Sequence, residues 1–295
     1  GEDTGREALV VGVKKKVSIL GLEKKDLIPL TIDGFSTDVV EVGDIKLLGV
    51  DRTSKARPSP CGMSIGHKDI TAGTQGLVVR KGGTKYILSN NHVLANVNKG
   101  EIGDAIMQPG PHDITPEMGD CRIGTLAEFV PISKLDLSEC LTSKIVAKLL
   151  NFFPWLFHRK TRMVPMVEPG INKVDCALAL PDTSTDALET ILDVGTTKGA
   201  TEAEVGLKVK KSGRTTELTF GEITAINAVV NVGLGGMDFA IFEDQIVTPP
   251  MAEGGDSGSA LLDLENNIVG LLFAGSEQST IFGRWANVKE SLELD

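Results

Sequence analysis

One serine in this chain stands in a setting that suits nucleophilic chemistry: Glu253-Gly254-Gly255-Asp256-Ser257-Gly258-Ser259, a tight glycine-rich turn followed by the apolar run Ala260-Leu261-Leu262. A serine hydroxyl attacks a carbonyl only if a base takes its proton and N–H donors hold the developing oxyanion. Gly255 can adopt backbone angles closed to residues with a side chain, which would aim its N–H and that of Ser257 at one point. A base is offered by Lys85-Tyr86-Ile87-Leu88-Ser89-Asn90-Asn91-His92, a strand-like run that ends in two asparagines and a histidine. A carboxylate is offered by Val174-Asp175-Cys176-Ala177-Leu178, where a single charge interrupts an apolar run and must find a partner. Together they predict a base, His92, oriented through its Nδ1–H by Asp175 and acting on Ser257.

The elements that must position these residues are strands. His92 in Leu-Ser-Asn-Asn-His-Val, Asp175 in Val-Asp-Cys-Ala-Leu and Gly255-Asp256-Ser257-Gly258 resemble, in that order, the three motifs of the chymotrypsin-like (trypsin-like) serine peptidases. Lys211-Ser212-Gly213-Arg214-Thr215-Thr216-Glu217-Leu218-Thr219-Phe220-Gly221 is similar to the opening strands of the second barrel in bacterial members. The resemblance covers the chain from about Ser64 onward. It implies a mainly β fold of two six-stranded antiparallel β-barrels with the three residues in the cleft between them. It also implies a serine endopeptidase that cuts protein or peptide substrates through an acyl-enzyme, with Gly255 and Ser257 as the oxyanion donors.

By the same likeness Met251 falls at the base of the primary pocket, and Phe273, Ala274, Gly275 and Gly283 on its walls. With no acid at that base, an apolar side chain is expected before the scissile bond. Asp256, which in secreted relatives pairs with a newly cut N-terminus, is expected to be satisfied within the folded chain. The alternative reading is a catalytically weak or inactive relative that serves as a binding or regulatory module. An esterase of unrelated topology is disfavoured, because its G-x-S-x-G elbow and its Ser, Asp, His order are not seen.

Composition narrows the classes further. The chain has 295 residues and a mass of 31.3 kDa, enough for one two-barrel unit with additions. Its net charge of -10 argues against sequence-independent nucleic-acid binding, which needs a basic face. No apolar stretch approaches the ~20 residues of a membrane span, and neither a cationic start nor an apolar signal core opens the sequence, so a cytoplasmic home is expected. Cys61, Cys121, Cys140 and Cys176 lie far apart, as do His67, His112 and His158. Buried free thiols, no metal site and no cofactor are the expectation.

Along the chain, residues 1–55 read as a small α/β extension, with strands over Ala8–Val13 and Thr37–Gly43 and helical spacing over Ser18–Leu27. Arg57-Pro58-Ser59-Pro60 resembles a stiff connector. A first barrel is placed over 56–182, a connection over 183–206, and a second barrel with a C-terminal helix over 207–295. The long interval between His92 and Asp175 implies a helical insertion at about 134–165. Within it Ile145, Leu149, Phe152 and Leu156 share one face, and Pro154 is expected to break or kink the helix. Packing of the 138–160 segment onto the barrel is expected, ahead of partner docking, a lid, or contact with a membrane surface.

Overall fold

The structure is a computed structural model that describes residues 8–18, 21–22, 24–43, 50–137, 140–235 and 238–295. The chain divides into two compact units, residues 1–51 and 52–295.

In the first unit Ala8–Val13 pairs in parallel with Phe35–Glu41, which pairs antiparallel with Thr31–Ile32. Of the helix expected over Ser18–Leu27, residues 19, 20 and 23 lie outside the described residues, and the others show only 3-10 structure, at Gly21 and at Lys24–Asp26. Gly21 and Pro29 bracket this stretch, and both oppose a longer helix.

The second unit is built on two sheets. The first has seven strands, ordered in space as Gly73–Thr74, Ser64–His67, Ala105–Met107, Arg122–Phe129, Ala177–Pro181, Thr84–Ser89 and Leu77–Lys81. Alternation along these strands puts Ile65, Ile87, Ile106, Ile123 and Ala179 into one apolar core. The second sheet has nine strands, and its framework is Lys208–Gly213, Glu217–Glu222, Ala225–Gly235, Asp238–Thr248, Ala260–Asp263, Asn267–Gly275 and Thr280–Arg284. Six strands per sheet were expected. Among the described residues the two-residue edge Gly73–Thr74 accounts for the seventh strand of the first sheet, and the two-residue Ile171–Asn172 and Gly199–Ala200 for two of the three extra strands of the second. A C-terminal helix, Trp285–Ser291, buries Trp285 and Val288 against a core that also holds Leu178, Leu262 and Leu271.

The Arg57–Pro60 stretch, read as a stiff connector, is tied into the second unit: Ser59–Cys61 pairs with Ala187–Ile191 and the Arg57 guanidinium donates to the carbonyls of Cys121 and Arg122 at 3.0 and 2.9 Å. The expected packing of the insertion needs correction. The insertion does form a helix, Leu141–Leu156, but none of its residues is buried, so it does not pack onto the barrel. Pro154 lies in its last turn and therefore leaves the body of the helix intact. Cys61, Cys121 and Cys176 are buried free thiols, whereas Cys140, just before this helix, is exposed. Among the described residues there is no cluster of side chains suited to a metal ion.

Candidate active site

His92 follows the strand Thr84–Ser89 in a one-turn helix, Asn91–Leu94. Its Nδ1 lies 2.6 Å from Asp175 Oδ2, and its backbone N–H donates to Asp175 Oδ1 at 3.2 Å. Asp175 lies two residues before the strand Ala177–Pro181, and its own carbonyl accepts from Asn90 Nδ2 at 2.7 Å. Asp175 is thus held to the turn through both its carboxylate and its backbone carbonyl. Its side chain is 3% exposed, while that of His92 keeps 27%, so the imidazole reaches solvent at the edge facing away from the carboxylate. Burial alone would lower the imidazole's proton affinity, but the adjacent Asp175 charge and hydrogen bond outweigh it and raise its pKa above the ordinary value.

The serine turn comes from the other sheet, and small residues let it meet the first. Gly73 lies between Val93 and the Ser257 carbonyl; a Cβ there would sit 2.5 Å from Val93 Cγ2 and 3.0 Å from Ser257 O. Thr74 completes the junction: its N–H donates to Ser257 O at 2.7 Å and its hydroxyl to Gly255 O at 2.9 Å. The residue after His92 and the backbone of Ser257 are therefore separated by little more than a glycine. Ser257 Oγ makes no hydrogen bond among the described residues, and the Oγ to Nε2 bond is not formed in this structure. Catalytic hydrogen bonds often form only once substrate binds.

The oxyanion donors are set by the peptide between Gly254 and Gly255. Asp256 N–H bonds Glu253 O at 3.0 Å, closing a turn whose third residue, Gly255, has φ +98°. A positive φ at that position defines a type II turn and favours glycine. The Gly254 carbonyl accepts from Thr215 Oγ1 at 2.8 Å. Since a trans peptide points its C=O and N–H in opposite directions, the Gly255 N–H faces away from Thr215. Neither it nor the Ser257 N–H has a partner among the described residues.

Behind the turn, Asp256 is fully buried and accepts from Thr216 Oγ1 at 2.6 Å, Thr215 N at 2.8 Å, Glu253 N at 3.0 Å and Thr216 N at 3.1 Å. Lys211, also fully buried, sits 3.3 Å from its Oδ2. Burial would raise the carboxyl, but the Lys211 charge and these donors overcome that and hold it below the ordinary aspartate value. Asp256 is thus satisfied by Lys211 and the Thr215–Thr216 turn inside the fold. Arg214, next in the same loop, is anchored by Asp113. Lys211, Thr215 and Thr216 fall in the run likened to the opening strands of the second barrel, but neither they nor Thr74 were given a role in the site from sequence. The signal was present in Lys211, a cation in an otherwise strand-like run next to Ser-Gly.

A cavity of about 620 Å³ opens beside Ser257, lined by Ala252, Glu253, Gly254, Leu272, Ala274, Gly275 and Glu277. Of the residues expected to shape the pocket, Ala274 and Gly275 line it. Phe273 points instead into a neighbouring cavity of about 230 Å³ with His92 and Asp175. Met251 and Gly283 line neither. Met251 is turned into the core against Gly221, where apolar burial holds it, and Gly283 is paired with Leu271 within the sheet.

The fold defined by these two sheets is that of the two-barrel serine peptidases. Nocardiopsis protease superposes with a TM-score of 0.52 and protease A of Thermobifida fusca with 0.51, each at 17% identity and over 80% of this chain and 98% of theirs. In sequence, streptogrisin-D of Streptomyces griseus is 43% identical over 77 residues and serine protease 2 of Streptomyces fradiae 44% identical over 78, each match covering 26% of this chain. The chain covers 18% of the length of the first and 42% of the second. No protein-family profile matches. Over those 77–78 residues the chain is similar in sequence to bacterial serine proteases, and its fold is that of the chymotrypsin-like serine peptidases.

Proposed function

We propose that the protein is a serine endopeptidase in which Ser257 is the nucleophile, His92 the general base and acid, and Asp175 the group that orients His92. The observation that carries this reading is the 2.6 Å contact between His92 Nδ1 and Asp175 beside a serine turn with two unpartnered N–H groups. The Ser257 Oγ–H bond breaks as Oγ bonds to the peptide carbonyl carbon, and the proton passes to His92 Nε2. Gly255 and Ser257 N–H groups receive the oxyanion; losing one such donor costs about 10²–10³ in rate. Collapse of the tetrahedral intermediate breaks the C–N bond, and His92 returns the proton to the leaving amine. Water then repeats the sequence on the acyl-enzyme, which releases the acid and restores the serine.

The cavity beside Ser257 supports selection against an acidic side chain before the scissile bond. Its walls are small or apolar, and the carboxylates of Glu253 and Glu277 oppose an acidic one. Incubating the protein with a mixed peptide library and sequencing the products tests both levels. Cleavage dependent on Ser257, and rare after Asp or Glu, is the expected result. A library left intact by folded protein refutes the activity, and cleavage concentrated after Asp or Glu refutes the pocket assignment.

A further inference from the structure

The helix Leu141–Leu156 has no use in the chemistry above, yet it carries much of the exposed apolar surface of the chain. Leu149, Phe153 and Trp155 are each at least 60% exposed, and none of the residues from Leu141 to Leu156 is buried. Leu141, Ile145, Leu149, Phe152 and Leu156 recur at a spacing of three or four, which makes one continuous strip. The segment stands on a short hairpin stem in which Asp136–Leu137 pairs with Met166–Val167. The returning chain is clasped to the helix by Asn151, whose side-chain amide bonds both the N–H and the carbonyl of Met163, at 2.7 and 2.8 Å.

Charge is segregated onto this same segment. Between Cys140 and Val167 there are five cations, Lys144, Lys148, Arg159, Lys160 and Arg162, and no Asp or Glu, in a chain of net charge -10. Lys144 and Lys148 are one turn apart on the flank of the apolar strip, and with Arg162 they border a groove of about 920 Å³ between helix and return chain. A second copy of the chain seated symmetrically, helix against helix, would bring the two sets of five cations together, which disfavours that pairing. An anionic lipid surface meets both features: the strip enters the acyl boundary while the cations reach the headgroups. The helix is too short to cross a bilayer, and among the described residues no helix is long and apolar enough to do so.

We infer that the 141–167 protrusion is a surface anchor that docks the protein on anionic membranes, with Leu149, Phe152, Phe153 and Trp155 inserted and Lys144, Lys148 and Arg162 on the headgroups. This is independent of the peptidase reading. The test is sedimentation of the full chain with vesicles of phosphatidylcholine alone or with about a third phosphatidylglycerol, with Trp155 as reporter. Trp285 is buried and contributes a constant background. The expected result is binding to the mixed vesicles, weakened by salt, with a blue shift in emission that Trp155→Phe removes. Replacing both Lys144 and Lys148 by Gln lowers partitioning about 25-fold, roughly fivefold for each cation. Leu149→Asp abolishes it, with circular dichroism confirming an unchanged fold. Protein that stays in the supernatant with both vesicle types overturns the inference. So does equal binding to both types unaffected by the double Gln variant. Self-association that Leu149→Asp abolishes, without vesicle binding, assigns the helix to a second copy instead and likewise overturns it.

Discussion

Replacing Lys211 by Met isolates what the buried ion pair contributes behind the serine turn. Lys211 and Asp256 are both fully buried and 3.3 Å apart, so removing the cation leaves a carboxylate with no counter-charge in a dry site. Breaking one side of such a pair costs about 3–5 kcal/mol. Four donors remain on Asp256, from Glu253, Thr215 and both the amide and hydroxyl of Thr216, so the lower end, about 3 kcal/mol, is expected. Asp256 also accepts the N–H groups that shape the turn around Gly255, so turnover should fall along with stability. The assay is urea unfolding of the wild type, Lys211→Met, and Lys211→Met combined with Asp256→Asn. The double variant buries no net charge and should recover at least half of the loss. Because the Asp256 carboxyl is held below its ordinary value, its contribution is present above the ordinary aspartate range and is lost as pH falls through the folded value. The wild-type advantage over Lys211→Met should therefore shrink in acid. A single variant within about 1 kcal/mol of wild type, or a double variant no more stable than the single, would refute the reasoning.

Other consequences are as direct. Thr215→Val removes the hydroxyl that holds the Gly254 carbonyl and should lower kcat about tenfold, with KM nearly unchanged, since about 1–2 kcal/mol of hydrogen bonding then no longer orients the Gly255 N–H; steady-state kinetics decide, and an unchanged kcat removes Thr215 from this role. The raised pKa of His92 means that its protonated form is favoured in the fold, a stabilisation present below the ordinary value of 6.5 and lost as pH rises through the folded value. Hydrolysis needs the neutral imidazole, so the acid limb of kcat/KM should lie above 6.5; in Asp175→Asn it should move to lower pH while the plateau falls about 10⁴-fold. Gly76→Ala would drive a methyl into the Gly258 carbonyl oxygen and should cost more than about 2 kcal/mol, measurable as a lower unfolding midpoint.

Much of the candidate site was legible in sequence because its chemistry needs particular residue types in particular company. A lone carboxylate in the apolar run at Asp175, a histidine after a strand and a serine between glycines each carry a local signature. The supports were not legible, because they are defined by what crosses between the sheets. Nothing in the sequence around Thr74 says that it will bond both Ser257 and Gly255, and only folding turns the cation of Lys211 toward Asp256. Met251 shows the same limit: it is close to Ser257 in sequence, but its side chain is buried in the core against Gly221 and does not line the cavity beside Ser257. The insertion was correctly read as a helix from its spacing, yet spacing gives a face and not what the face meets. The valine-rich apolar run that placed Ala8–Val13 as a strand is a strong local pattern, whereas the apolar spacing of Ser18–Leu27 lost to Gly21 and Pro29.

The central claim, an assembled Ser257, His92 and Asp175, is tested most directly by a fluorophosphonate probe, with the modified residue located by mass spectrometry in the wild type, Ser257→Ala and His92→Ala. The account predicts a single adduct on Ser257 that is lost in both variants. Folded wild-type protein that takes no label, or labelling of Ser257 that persists without His92, would contradict it.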